Sequence, residues 1–150
     1  MNIVELARKF HYLREVGENK GLRVESIQHW SGGQSGDSWC MEFIWFLFDV
    51  FYEGACPFER VQAVEEFHQT AINNGWVIDA PEAECLVISV TPEGHGHHIA
   101  ICTVADPLTT FAGNTSADGL SSNGDRAAEH EVSATSKVFV RVPAFAGASS

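Results

Sequence analysis

From Trp39 to Tyr52 the chain reads Trp39-Cys40-Met41-Glu42-Phe43-Ile44-Trp45-Phe46-Leu47-Phe48-Asp49-Val50-Phe51-Tyr52, apolar except at Glu42 and Asp49. A helix with no polar face must sit in the middle of a molecule, packed on several sides. The stretch is shorter than the roughly 20 residues that cross a bilayer, and it carries two carboxylates, so it predicts a buried central helix and not a membrane span. The loop before it, Ser31-Gly32-Gly33-Gln34-Ser35-Gly36-Asp37-Ser38, ends in Asp37 and Ser38, either of which suits an N-cap. Gly54 to Pro57 ends the helix. Cys40 then falls in the first turn, among backbone N–H groups that have no intrahelical acceptor.

The other elements arrange themselves around that helix. Ile3, Leu6, Phe10, Leu13 and Val16 recur at steps of three and four, which predicts an amphipathic helix stopped by Gly17. Leu22 to Ile27 reads as a second short helix. Val61, Val64, Phe67, Ala71 and Ile72 line one face of another, closed by Asn74-Gly75. Strands follow at Trp76 to Ile78, Leu86 to Thr91, His98 to Val104, Thr109 to Phe111 and Lys137 to Val142. Helices first and strands after predict an α+β domain, N-terminal helices packed on a C-terminal antiparallel β-sheet. One domain over residues 1–143 with a flexible tail over 144–150 is the expected organisation.

Charge narrows the function classes. The chain has 20 acidic against 9 basic residues, net −11. Nucleic acid and anionic membranes call for clustered Lys and Arg, so neither is an expected partner. The N-terminus lacks a basic segment followed by a long apolar one, so a chain made in the cytoplasm without a Sec signal is expected. The spacing of Cys40, Cys56, Cys85 and Cys102 fits neither paired zinc ligation nor a dense disulfide framework, and the last three read as reduced, buried thiols.

Cys40, His98 and Asn114 follow one another in the order of a papain-type triad. A thiol with pKa near 8.5 is only a few per cent thiolate at neutral pH. A helix N-terminus adds at most about 2 kcal/mol, whereas a shift of four units needs about 5 to 6. An imidazolium about 4 Å away adds on the order of 4 kcal/mol at an effective dielectric near 20, so a histidine must complete such a site and a third group must orient it. Period-two alternation puts His98, Ala100, Cys102 and Val104 on one face of their strand, where a histidine at the open end can project toward the helix start; His97 points to the other face.

The segments Val16-Gly17-Glu18-Asn19-Lys20-Gly21, Gly36-Asp37-Ser38-Trp39-Cys40, His97-His98-Ile99-Ala100-Ile101 and Gly113-Asn114-Thr115-Ser116 together resemble the CHAP family, in particular its small phage-endolysin-like subgroup. The resemblance runs from about Val16 to Asp125. It implies a papain-like fold, NlpC-related, and a cysteine amidohydrolase or peptidase acting on bacterial peptidoglycan. It further implies Cys40 as nucleophile, His98 or its neighbour His97 as base, Asn114 as the orienting group, and Gln34, six residues before Cys40, as an oxyanion donor beside the Cys40 N–H. The chain departs from the family pattern at Ala112, where many members carry Glu, and at Glu84-Cys85, where Gly-Asp is usual.

On this reading the expected partner is peptidoglycan, with no cofactor and no metal, and the protein acts as a monomer at the cell wall. A further wall-binding domain, or an immunity or holin partner, fits the same scheme. A non-catalytic wall-binding or toxin-effector module on the same fold is the alternative. A zinc metallohydrolase using the Gly94-His95-Gly96-His97-His98 segment is the third, disfavoured because adjacent histidines on a strand diverge.

Overall fold

The computed structural model describes residues 1–13, 24, 27, 28, 39–115 and 126–143, Asn114 and Thr115 by their backbone. Among them are three helices, α1 (Ile3–Arg8), α2 (Cys40–Phe51) and α3 (Val64–Asn74). Six strands follow: β1 (Val77–Ile78), β2 (Leu86–Val90), β3 (Gly96–Val104), β4 (Thr109–Thr115), β5 (Arg126–Glu131) and β6 (Lys137–Val140). They form one antiparallel sheet in the order β1-β6-β2-β3-β4-β5. The α+β layout expected from the sequence is the layout observed. No described helix is long and apolar enough to cross a membrane.

Several boundaries differ from expectation for local reasons. The first helix ends at Arg8, well before Gly17. Its N-cap is Asn2, whose side chain accepts from Glu5 N at 2.8 Å. Beyond Arg8 the chain tightens into successive i→i−3 bonds, Phe10 N to Ala7 O and Leu13 N to Phe10 O, which still bury Leu13. Val24, Ile27 and Gln28 are helical and buried where a short helix was expected, the rest of that segment lying outside the described residues. The α2 helix starts at Cys40 with Trp39 at the N-cap and no side-chain cap bond; Asp37 and Ser38, expected to cap it, lie outside the described residues. It ends in a Schellman arrangement, Gly54 N to Asp49 O at 2.7 Å and Glu53 N to Val50 O at 3.1 Å, with Glu53 itself at φ 55°. Gly75 closes α3 at φ 72°, a left-handed position that favours glycine. Ile72, expected on the buried face of α3, is exposed.

Side-chain alternation splits the sheet into two unlike faces. On one, Leu86, Ile88, Ile99, Ile101, Phe111, Ala127 and Val140 merge with all three helices into the main core. The α2 helix lies there, packed on β3, β4 and α1. On the other, Cys85, Val87, Cys102, Leu108 and Phe139 form a small separate cluster to which no described helix contributes. The β5 strand, absent from the sequence reading, pairs with β4 at the sheet edge and is tied to α1 by Arg8, whose Nε and Nη2 reach Glu129 at 3.0 and 2.9 Å.

Candidate active site

Cys40 is the first helical residue of α2 and is 5% exposed. The first intrahelical bond, Phe43 N to Trp39 O at 2.8 Å, leaves the Cys40, Met41 and Glu42 N–H groups without acceptors inside the helix, so the positive end of the helix dipole lies at the thiol. The ring of Trp39 is fully buried against β4. A Cβ built on Gly113 would come within 2.8 Å of Trp39 Cζ3 and 2.9 Å of Phe43 Cβ, so only hydrogen fits there. This contact sets the Cys40 end of α2 beside the Gly113-Asn114 stretch.

At that end the sheet opens. The β3–β4 ladder joins Ile101 to Phe111, Cys102 to Thr110 and Val104 to Thr109, so among the described residues the first half of β3 pairs with β2 alone. The two strands that carry the His97-His98 and Gly113-Asn114 segments therefore flank an unzipped part of the sheet next to the helix start.

The strand register puts His98 on the face of the sheet opposite the helix-side core that holds Cys40. His98 pairs with Ser89, which in turn pairs with Lys137, and this row continues the face of Val87, Ala100 and Cys102, the one turned away from the helices. The alternation expected for His98, Ala100 and Cys102 is present, but it belongs to the opposite side of the sheet from α2. The reason is size: Ile99 and Ile101 fill the helix-side core, and their neighbours are forced outward. His98 is half-buried with its Nδ1 enclosed, and that atom has no hydrogen-bond partner among the described residues. Burial, reinforced by His97 and Lys137, pulls its pKa down to about 4, so at neutral pH it is an uncharged ring. Across a layer spacing of about 10 Å an imidazolium would in any case contribute only about 1.7 kcal/mol to a thiolate, less than half its value at 4 Å.

His97 sits differently. The β2–β3 register slips between Ser89, paired with His98, and Val90, paired with Gly96, and this β-bulge leaves His97 as the extra, exposed residue. Gly96 faces the helix side, where an added Cβ would meet Val64 and Ile88. His97 is thus the link between a helix-side residue and an outward-facing one, and simple alternation does not hold across it.

Asn114 lies in β4 after Gly113, its side chain outside the described structure, and Gln34 lies outside the described residues altogether. Among the described residues no group of three or more His, Cys, Asp or Glu side chains is placed to hold a metal ion. Cys85 and Cys102 are buried as expected, whereas Cys56 is only partly buried; burial pushes the pKa values of Cys56 and Cys102 up to about 12 and raises that of Cys85. A cleft of about 210 Å³ lined by Phe48, Tyr52, Glu84 and Arg141 lies at the far end of α2, about 16 Å from Cys40 along the helix, too far to belong to the same site.

Sequence reasoning missed one feature close to the histidines: Glu65, in the first turn of α3, accepts a hydrogen bond from Gly96 N at 2.6 Å. Its only trace in the sequence is an acidic residue near a helix start, too common a signal to single it out. Compared with known proteins, the chain matches no family model, no curated protein and no solved structure.

Proposed function

We propose that the chain is a peptidoglycan hydrolase of CHAP type on a papain-like fold, with Cys40 as nucleophile and His97, rather than His98, as its acid–base partner. The observation that carries this reading is the seating of Trp39 on Gly113, which sets the thiol-bearing start of a central helix beside the opening between β3 and β4. In the proposed reaction the Cys40 thiolate adds to an amide carbonyl of the wall's stem peptide. The oxyanion is met by the Cys40 N–H and Gln34. Imidazolium at His97 protonates the leaving amine as the C–N bond breaks, giving a thioester, and the neutral ring then takes a proton from the water that hydrolyses it. Asn114 orients the ring. The bond is the N-acetylmuramoyl-L-alanine amide or a peptide bond of the stem, and a phage lysin is the setting that suits such a chain.

Two observations favour the alternative of a non-catalytic wall-binding or toxin-effector module. Cys40 is only 5% exposed, and His98, the ring expected to serve it, lies on the sheet face opposite the helix-side core that holds Cys40. Zymography on purified peptidoglycan with wild type and Cys40→Ala, followed by mass analysis of released fragments, separates the two. Clearing by wild type alone supports catalysis, clearing by both removes Cys40 from the chemistry, and wall binding without clearing by either supports the module.

A further inference from the structure

The first turn of α3 meets the start of β3 through a carboxylate. Glu65 Oε1 takes the Gly96 N–H at 2.6 Å and pairs with His68 Nδ1 at 3.0 Å, while Oε2 takes Gln69 Nε2 at 2.7 Å. His68 is itself buried. From the same turn Val64 packs on Gly96, where an added Cβ would lie 3.1 Å from Val64 Cγ1 and 3.0 Å from Ile88 Cγ2. Helix and strand therefore touch as closely as a glycine permits, and the contact is locked by a charge-assisted bond. Its place is informative. Gly96 immediately precedes the His97-His98 doublet and forms one side of the bulge that decides which way each ring projects. Among the described residues β4 does not pair with this end of β3, so the Glu65 carboxylate stands where a neighbouring strand would otherwise hold the backbone.

An acid in a first helical turn ordinarily faces its own helix dipole or solvent. Here the strongest bond goes to another element, and the Gly96 N–H, followed by Gln69 and His68, holds the carboxyl near pKa 2, ionised down to strongly acidic pH.

We infer that Glu65 is a positioning residue: through Gly96 it fixes the bulge at the head of β3 and so sets where His97 and His98 point. The catalytic consequence rests on the reading of Cys40 and His97 as a working pair; the placement of the bulge does not.

The test uses isotopically labelled full-length protein carrying Glu65→Ala or Glu65→Gln, with Glu82→Ala as a control that removes an exposed pair with Arg141. Three quantities are followed: hydrogen exchange at Gly96 N–H, the titration of His98, and the rate and pH profile of lysis of purified peptidoglycan. Glu65→Ala should speed Gly96 exchange about tenfold or more, the loss expected for one charge-assisted bond, and move the His98 titration up toward its ordinary range. The lytic rate should fall about tenfold or more with half-saturation little changed, since the ring and not the substrate is displaced. Glu65→Gln keeps a carbonyl acceptor for Gly96 and should restore each value to within about threefold. Glu82→Ala should move none of them.

Should Glu65→Ala fail to fold, Glu65→Asp, one methylene too short to reach Gly96, poses the same question. Unchanged Gly96 exchange and unchanged His98 titration in a folded Glu65→Ala or Glu65→Asp protein would overturn the inference. If both quantities shift while even the wild type shows no lysis, the clamp stands and the catalytic reading falls.

Discussion

The two faces of the sheet differ in what they bury and in what they can do. On the helix side, Trp39, Phe43, Ile44, Leu47, Ile99, Ile101 and Phe111 are fully enclosed, and the core is continuous from α1 to β6. On the other side five residues, Cys85, Val87, Cys102, Leu108 and Phe139, are buried without a covering helix among the described residues. The candidate nucleophile belongs to the first face and His98 to the second. Alternation along a strand tells which residues share a face; only the bulk of those residues tells which face the helices choose.

The largest stability difference between the faces should come from truncating an aromatic on each. Phe43 is fully buried, meets Phe10 edge-on at 5.8 Å and Phe111 at 5.8 Å, and abuts Gly113. Phe43→Ala should cost about 3–5 kcal/mol, because the neighbouring rings of Phe10 and Phe111 limit how far the cavity can collapse. Phe139 lies in the small cluster and is 8% exposed, so Phe139→Ala should cost nearer 2 kcal/mol. Denaturant unfolding of both variants checks this. Equal losses would mean that the two faces are equally well packed.

A smaller effect sharpens the same comparison through pH. His98 has a folded-state pKa of about 4 against an ordinary 6.5, so between those values the unfolded chain binds more protons than the folded one. Stability is therefore intact above about pH 6.5 and falls as pH drops toward 4, by at most about 3 kcal/mol from this group. His98→Gln should flatten that part of the stability profile. An unchanged slope would place His98 in a solvated setting instead of on the enclosed outer face.

Much of the architecture was legible in the residues. The all-round apolar run gave a central helix, Asn74-Gly75 gave the end of α3, and β-branched clusters gave β2, β3 and β6. The β5 strand was not legible, since Arg126-Ala127-Ala128-Glu129-His130-Glu131 has no β-branched or aromatic residue and owes its pairing to β4. The α1 helix was overread because its apolar spacing persists through turns that are no longer α-helical. For the candidate site, the thiol at a helix start could be read from composition and order. The bulge at His97 could not, because the register slip that pairs Val90 with Gly96 leaves no mark in residue type, and the Glu65 carboxylate that holds Gly96 is 31 residues away in the chain.

The two histidines give the most direct test of whether catalysis belongs to the helix side. Rates of peptidoglycan lysis for His97→Ala and His98→Ala should be measured against wild type, with circular dichroism confirming that each variant folds. Loss of one member of a catalytic unit costs about a thousandfold or more, whereas removal of a ring on the far face costs far less. That loss is expected for His97→Ala, and a rate within about tenfold of wild type for His98→Ala. Near-complete loss in His98→Ala alongside an active His97→Ala protein would contradict catalysis on the helix side.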